Sequence, residues 1–200
     1  MTVLNKKNRY SAFILGVILL LCAVVFFLWS AIVNNSDIET SKGNFELQSA
    51  SGPVALSDYR GKVVVLYFGY AFCPDVCPTS LGILSLALNE LSTVELSNVQ
   101  PIFISVDPER DTVERLKTYA EAFHPSIIGI TGSTLDIAEV AQHYGVLYMK
   151  VDMPESAMGY AVDHSSEYYV INRDGSLNQK ISHGTDPKKV AEVLRQALKS

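Results

Sequence analysis

Two cysteines lie four residues apart in the segment 72–78, which reads Phe-Cys-Pro-Asp-Val-Cys-Pro. In a regular helical turn, residues at this spacing lie on one side with their Cβ atoms about 5–6 Å apart. A disulfide prefers Cβ atoms nearer ~3.8 Å, whereas two metal–thiolate bonds of about 2.3 Å span the wider gap without strain. The spacing of Cys73 and Cys77 therefore favours a metal site and leaves a disulfide open as a second state.

The type of metal follows from the ligands that the sequence offers. Both thiols come just before or at the start of a predicted helix, whose dipole favours thiolates. Two thiolates suit Cu(I), and an imidazole would complete a three-coordinate site. Spacing alone does not choose among the four histidines, which are His124, His143, His164 and His183. His164 is slightly favoured because it directly precedes a predicted strand, and Asp163 could orient its ring.

The elements around the two cysteines place them where α/β proteins bind ligands. Val63–Phe68 is an uninterrupted run of β-branched and aromatic residues, which is typical of a central strand buried on both faces. Thr79–Leu91 follows with leucines at helical spacing, which predicts a helix. A loop between such a strand and its helix lies at the edge of the sheet that carries ligand sites.

Strands and helices alternate along the rest of residues 45–200, which predicts an α/β three-layer sandwich with an N-terminal hairpin. The other predicted elements are, in order, a hairpin of Phe45–Gln48 and Pro53–Leu56, a strand at Val99–Val106, a helix at Thr112–Phe123, a strand at Ile127–Ile130, a helix at Leu135–His143, an extended segment at Val146–Val151, a loop at Asp152–Asp163, a hairpin of Glu167–Ile171 and Leu177–Ser182, and a helix at Pro187–Leu198.

The N-terminal part predicts a membrane anchor. Ala12–Val33 contains no charged residue, and about 20 apolar residues in a helix span a bilayer. This run is longer than the apolar part of a cleaved signal peptide, so we expect a retained transmembrane helix at residues 11–33. The cations Lys6, Lys7 and Arg9 place residues 1–10 in the cytoplasm. Residues 34–44 then form a tether, and residues 45–200 form one domain on the non-cytoplasmic side.

Charge and cysteine content narrow the class of function. Without the three N-terminal cations, 13 of the 16 lysines and arginines remain against 21 acids, a formal charge of −8. Such a domain is not expected to bind nucleic acid. Of the three cysteines, Cys22 lies in the predicted membrane helix, so one close pair remains in the exported domain. A lone pair in an oxidising compartment indicates redox or metal chemistry.

The order and spacing of four segments resemble the SCO/SenC family from about residue 45 to the end of the chain. Besides Phe72–Pro78, these are Asp58–Lys62 (Asp-Tyr-Arg-Gly-Lys), Ser105–Thr112 (Ser-Val-Asp-Pro-Glu-Arg-Asp-Thr) and Val162–Ser165 (Val-Asp-His-Ser). The two-cysteine segment alone would be a weak signal, and its combination with the other three is specific. We see no departure at the positions of the family's metal ligands.

The resemblance implies a thioredoxin-like fold and binding of Cu(I) or Cu(II) by Cys73, Cys77 and His164. It also implies help in assembling the binuclear copper centre of cytochrome c oxidase, for which we expect a metallochaperone and keep an enzyme, a thiol-disulfide reductase, as the alternative. The expected partners are subunit II of the oxidase or another copper-accepting protein, together with other periplasmic copper chaperones or thiol reductants. The expected location is a bacterial inner membrane, single-pass, with the domain in the periplasm.

Other functions use the same residues differently. A periplasmic thiol-disulfide oxidoreductase would use Cys73 and Cys77 as a redox-active pair and would not need His164, although its usual Cys-x-x-Cys motif is one residue shorter. The family itself leaves open whether its members donate copper or reduce the thiols of the oxidase. Peroxide reduction is disfavoured because no threonine or serine stands just before Cys73. Copper sensing is neither supported nor excluded.

Two further groups of residues call for an interpretation. Apart from the first residue, every methionine lies in the segment before His164, namely Met149, Met153 and Met158. Thioethers bind copper, but adaptable packing or a partner-facing surface is the favoured role.

Asp107 ends a predicted strand and Asp111 precedes a predicted helix, so turn formation and helix capping are expected of them rather than catalysis.

Overall fold

The computed structural model describes residue 16, residues 18–27 and residues 44–200. Residues 18–27 are helical and exposed, and they belong to a unit separate from the one that begins at residue 43. Among the described residues, no helix is both long enough and apolar enough to cross a membrane. The predicted N-terminus at 1–10, both ends of the predicted anchor at 11–33 and nearly all of the predicted tether at 34–44 lie outside the described residues.

The unit from residue 44 onward is built on a five-stranded mixed sheet, which confirms the predicted α/β class. Strand order is β5-β4-β3-β8-β9, with β3, β4 and β5 parallel and with β8 and β9 antiparallel to their neighbours. The strands are β3 (Val63–Gly69), β4 (Val99–Ser105), β5 (Ile128–Ile130), β8 (Glu167–Ile171) and β9 (Leu177–Ser182).

Two small hairpins and five helices complete this unit. The predicted N-terminal hairpin is confirmed as β1 (Glu46–Ser49) and β2 (Gly52–Ala55), which is followed by a 3₁₀ turn at Leu56–Tyr59. The second hairpin is β6 (Tyr148–Met153) with β7 (Gly159–His164). The helices are α1 (Val76–Asn89), α2 (Thr93–Ser97), α3 (Val113–Phe123), α4 (Thr134–Tyr144) and α5 (Pro187–Ala197).

The central strand β3 is buried along its whole length, as its apolar sequence predicts. Both faces of such a strand must be covered by packed elements. The strand runs parallel to β4, and the two end together because Gly69 pairs with Ser105. The loops that follow β3 and β4 therefore emerge side by side at one edge of the sheet, and the first of them carries the two cysteines.

The β6–β7 hairpin differs from the sequence prediction. We expected a loop at Asp152–Asp163, but β6 extends to Met153 and β7 occupies Gly159–His164. His164 therefore ends a paired strand, opposite Tyr148, and does not end a loop. A two-stranded ribbon holds a side chain more firmly than a loop of the same length, so this correction strengthens the case for His164 as a positioned residue.

Candidate metal centre

Both cysteines are held by the start of helix α1. The helix begins at Val76, three residues earlier than predicted, so Cys77 lies in its first turn and Cys73 lies just before it. Cys77 is fully buried and Cys73 is partly exposed, and both are free thiols. The backbone N–H of Cys73 donates to the carbonyl of Tyr70, which folds the loop into a turn.

Three side chains from distant parts of the chain converge here. The sulfurs of Cys73 and Cys77 and a ring nitrogen of His164 all lie within 4.8 Å of one another. Cys77 Sγ and His164 Nε2 are 3.1 Å apart. Among the described residues, this is the one cluster of three or more histidine, cysteine or acidic side chains with atoms placed to share a metal ion.

The ring of His164 is oriented by its neighbours. Its Nδ1 is 3.0 Å from the carbonyl oxygen of Ser165, which can only accept, so Nδ1 carries the proton and Nε2 offers a lone pair. The rings of Tyr67 and Tyr70 meet the imidazole edge to face, at centroid distances of 6.3 and 5.9 Å. The imidazole is therefore fixed in the tautomer that leaves Nε2 free towards the sulfurs.

The two thiols differ strongly in acidity. A hydrogen bond from the Cys77 thiol, together with the backbone N–H groups of Asp75 and Cys77, holds the pKa of Cys73 well below its usual range. The pKa of Cys77 is raised, first by this hydrogen bond to Cys73 and then by burial. The pair thus carries one thiolate, on Cys73, at neutral pH, while Cys77 keeps its proton.

Gly69, at the end of β3, makes room for the buried sulfur. A Cβ atom at this position would lie 2.7 Å from Cys77 Sγ and 3.0 Å from a ring carbon of Phe103. Contacts this short do not occur without displacement of one partner. The absence of a side chain at Gly69 is therefore a requirement of the site, and local sequence carries no signal for it.

The structure assigns Asp111 a role other than helix capping. Thr112, and not Asp111, caps α3 through a hydrogen bond from the backbone N–H of Arg115. The buried carboxylate of Asp111 instead accepts from the backbone N–H of Ala71 at 2.8 Å and from the hydroxyl of Ser105 at 2.6 Å. It therefore ties the cysteine loop to the end of β4. Local sequence carries no signal for a bond across 40 residues.

Asp107 does form the predicted turn, because its carbonyl oxygen accepts from the backbone N–H groups of Arg110 and Asp111. Its carboxylate has a second role, which the local sequence does not predict. It binds Arg110 Nε at 2.5 Å and accepts from the hydroxyl of Tyr160 at 2.8 Å. Tyr160 belongs to β7, so Asp107 links the end of β4 to the hairpin that carries His164.

Arg110 continues this link. Its guanidinium stacks 3.6 Å from the ring centre of Tyr160 and donates to the carbonyl oxygens of Met158 and Tyr160. The same group lies 4.9 Å from the ring centre of Phe72, the residue before Cys73. Arg110 thus packs between the cysteine loop and the histidine hairpin. A planar guanidinium serves both stacking and forked donation, which a lysine does not.

The other histidines and the methionines lie elsewhere or play other roles. His124 pairs with the hydroxyl of Ser126, His183 pairs with that of Ser80, and His143 lies against the ring of Tyr144. The three methionines are in the hairpin. Met149 lines an open groove beside His164 and is 63% exposed. Met153 ends β6 and Met158 directly precedes β7, so both lie at the end of the hairpin that is remote from His164.

The chain is similar in sequence to a family of known proteins. The SCO1/SenC family model matches residues 34–199. The mouse (Mus musculus) protein SCO2 homolog, mitochondrial, is 37% identical over 159 residues, which cover 78% of this chain and 62% of the relative. A SCO2-like protein of Rickettsia conorii is 36% identical over 154 residues, which cover 76% of this chain and 75% of the relative. The chain thus spans about three fifths of the mouse relative.

Solved structures share the fold. A crystal structure of ScoI from Arabidopsis thaliana with copper bound has a TM-score of 0.71 and 37% sequence identity, covering 79% of this chain and 98% of that one. A structure of BsSco, described as a member of the Sco family of cytochrome c oxidase assembly proteins with a disulfide switch, has a TM-score of 0.60 and 25% identity, covering 78% of this chain and 92% of that one.

Proposed function

The chain belongs to the SCO1/SenC family, and from that premise we propose that it is a copper metallochaperone that binds one copper ion through Cys73, Cys77 and His164. Its proposed task is to supply copper during the assembly of cytochrome c oxidase. The observation that carries the proposal is the convergence of the three ligand atoms within 4.8 Å of one another. The relative with copper bound supports the choice of metal.

The donor set fits copper as cargo. Metal–sulfur bonds of about 2.3 Å and metal–nitrogen bonds of about 2.0 Å, as in other thiolate and imidazole sites, can meet between atoms this close together. Two thiolates and one imidazole are soft to intermediate donors, which suit Cu(I) and accept Cu(II). Cys73 is ready as a thiolate, Nε2 of His164 offers its lone pair, and only Cys77 must lose a proton when the site is filled.

The surroundings of the site support transfer to another protein. Cys73 is partly exposed, and beside His164 the hairpin presents Met149 and Leu147, which are 63% and 78% exposed. Large exposed apolar side chains next to a reactive group are typical of a partner contact. We propose that the copper-accepting partner, subunit II of the oxidase or another copper protein, approaches from this side.

The proposed location rests on the sequence. An uncharged run of 22 residues, Ala12–Val33, is preceded by cations and followed by acids, which favours an inner-membrane anchor with residues 45–200 in the periplasm. An alkaline phosphatase fusion after residue 44 would be active if this orientation is right. Activity of a cytoplasmic reporter fused at the same point would contradict it.

The first experiment measures copper stoichiometry and the Cu(II) spectrum of the reduced chain. We expect about one copper and a thiolate charge-transfer band in the wild type, and loss of both in Cys73→Ala, Cys77→Ala and His164→Ala. His124→Ala and His143→Ala are matched controls, since His124 pairs with Ser126 and the exposed His143 lies against Tyr144. Copper binding that does not depend on His164 would overturn the proposal.

A thiol-disulfide oxidoreductase is the second candidate. It is favoured by one observation, the pairing of a low-pKa thiol on Cys73 with a neighbouring free thiol on Cys77, and the solved relative with a disulfide switch supports it. This function predicts reduction of a disulfide substrate by Cys73 and Cys77 at an unchanged rate in His164→Ala. The same variant therefore separates the two candidates.

A further inference from the structure

The hydroxyl of Tyr67 has no hydrogen-bond partner among the described residues, although the side chain is fully buried. A buried hydroxyl without a partner is costly and therefore uncommon in folded proteins. The side chain lies directly beneath the candidate metal centre, edge to face with the ring of His164. The position of this unpaired donor next to the candidate metal centre indicates a role in that centre.

Tyr67 lies next to the sulfur of Cys77. Tyr67 and Gly69 are two residues apart on β3 and so point to the same face of the sheet. The point that a Cβ on Gly69 would occupy is 2.7 Å from Cys77 Sγ and 3.3 Å from Cε1 of Tyr67. A phenolic hydroxyl keeps its proton at neutral pH, so the hydroxyl of Tyr67 is a donor across the physiological range.

In the metal-free site the Tyr67 hydroxyl makes no hydrogen bond of normal geometry among the described residues. The sulfur of Cys77 instead faces Nε2 of His164, a lone-pair acceptor for its S–H, at 3.1 Å. Filling the site removes the S–H, because a cysteine binds metal as the thiolate. The sulfur of Cys77 then has lone pairs and negative charge, and it becomes an acceptor beside a hydroxyl that lacks one.

We propose that Tyr67 is a positioning residue whose hydroxyl donates a hydrogen bond to the thiolate of Cys77 in the metal-loaded protein. The hydroxyl is thus complementary to the loaded site and not to the empty one. Such outer groups hold a ligand in orientation and tune the electron density on its sulfur. This inference rests on the proposed function, since it assigns a residue that favours the loaded state of the same site.

The test compares Tyr67→Phe with Tyr169→Phe in the full chain. Tyr169 is also fully buried with an unpaired hydroxyl, but it packs against Phe68 and so lies on the opposite face of the sheet from the cysteines. Cu(I) affinity is measured by competition with a chromophoric chelator, the Cu(II) thiolate band by absorption, and the melting temperature by calorimetry on the metal-free reduced protein.

In Tyr67→Phe we expect the Cu(I) affinity to fall while the melting temperature of the metal-free protein does not. Cu(I) affinity falls about 10–100-fold, as for other outer-shell partners of metal ligands, and the charge-transfer band moves to lower energy because the sulfur loses a donor. The melting temperature of the metal-free protein stays the same or rises, because a costly unpaired hydroxyl is removed. Tyr169→Phe shows the same melting behaviour with unchanged Cu(I) affinity and an unchanged band.

Two results would overturn the inference. One is a Cu(I) affinity of Tyr67→Phe within twofold of the wild type. The other is a melting temperature that falls together with the affinity, since the hydroxyl would then already contribute to the metal-free state. If the wild-type chain itself binds no copper, the proposed function fails, and that outcome is distinct from a wild type that binds copper equally well with and without the hydroxyl.

Discussion

The carboxylate of Asp111 accepts a hydrogen bond of 2.8 Å from the backbone N–H of Ala71, two residues before Cys73. Because Asp111 also accepts from Ser105 at the end of β4, the cysteine loop is attached to the strand beside the one from which it emerges. This attachment is independent of any bond made by the cysteines themselves. It therefore positions the loop before a metal arrives, which reduces the ordering that binding requires.

Replacement of Asp111 by alanine should destabilise the protein and weaken the metal site. It leaves the buried hydroxyl of Ser105 without its acceptor, at about 1–3 kcal/mol, and also unpairs the partly buried N–H of Ala71. Asp111→Asn keeps an acceptor oxygen for the cysteine loop and should bind Cu(I) like the wild type. Chemical unfolding and Cu(I) competition measure the two effects. An alanine variant with wild-type stability and affinity would show that the loop holds its shape without this bond.

The Asp111→Asn variant should also differ from the wild type in its pH dependence. Burial raises the pKa of Asp111 above its ordinary value of 3.8, so folding favours the protonated form. The contribution to stability is complete below pH 3.8 and is lost as pH rises through the folded pKa. The free energy of unfolding of Asp111→Asn, relative to the wild type, should therefore increase from about pH 4 upward, as measured by urea unfolding at several pH values.

Arg110→Lys should loosen the hairpin that carries His164. Lysine retains the charge near Asp107 but neither stacks on Tyr160 as a plane nor donates in a fork. A loss of about 1–2 kcal/mol in local stability corresponds to roughly 5–30-fold faster opening. Hydrogen exchange of the β6 and β7 amides measures this change, and the amides of β3 and β4 serve as internal reference.

Lys150→Met is the matched control for Arg110. Lys150 lies over the same ring of Tyr160 at 4.2 Å, but its ion pair with Glu109 is exposed to solvent. Exposed ion pairs contribute about 0–1 kcal/mol, so exchange in the hairpin should change little. Exchange in Arg110→Lys as slow as in the wild type and in Lys150→Met would show that the guanidinium geometry is not what holds the hairpin.

The sequence predicted those features that depend on local pattern. The uninterrupted apolar run of β3 and the leucine spacing of α1 are strong local signals, and both elements were found. Strand β7 was missed because both strands of its hairpin lie at the surface with few buried positions, so neither shows a hydrophobic period.

The contacts that position the site could not be predicted from local pattern. The bond from Ala71 to Asp111 joins residues 40 positions apart, and the contact from Asp107 to Tyr160 spans 53. An aspartate before a threonine has the local pattern of a helix start whichever way its carboxylate turns. Similarly, the composition of the chain does not show that Gly69 lies against a sulfur. Such roles depend on which loops the strand order brings together.

Alkylation of the reduced thiols should show an unusual pH profile. Hydrogen bonds from the Cys77 thiol and from the backbone N–H groups at the helix start hold the pKa of Cys73 well below its usual range. In a Cys22→Ala chain, iodoacetamide should therefore modify Cys73 at pH 6, where an ordinary thiol of pKa ~8.5 is almost fully protonated. Cys77, whose pKa is raised, should remain unmodified. Mass spectrometry of peptides distinguishes the two sites.

Cys77→Ala provides the internal check on this profile. Loss of the hydrogen bond from the Cys77 thiol should shift the modification of Cys73 to higher pH, while His124→Ala, which loses only the pairing with Ser126, should leave it unchanged. If Cys73 followed the profile of an ordinary thiol in the wild type, the hydrogen bonds at the helix start would not stabilise its thiolate.

Gly69→Ala should be far more harmful than a one-carbon change usually is. The new Cβ would lie 2.7 Å from Cys77 Sγ and 3.0 Å from Phe103, and overpacking of this kind costs about 1–3 kcal/mol. Because the strand is rigid, the sulfur must move away, and Cu(I) affinity should fall along with stability.

Gly82→Ala is the control: nothing lies within 4 Å of its Cβ position in α1, so it should stabilise the helix by about 0.5–1 kcal/mol and leave affinity unchanged. Thermal unfolding and Cu(I) competition measure both variants, and a Gly69→Ala protein with wild-type affinity would show that the position of the Cys77 sulfur is not set by the end of β3.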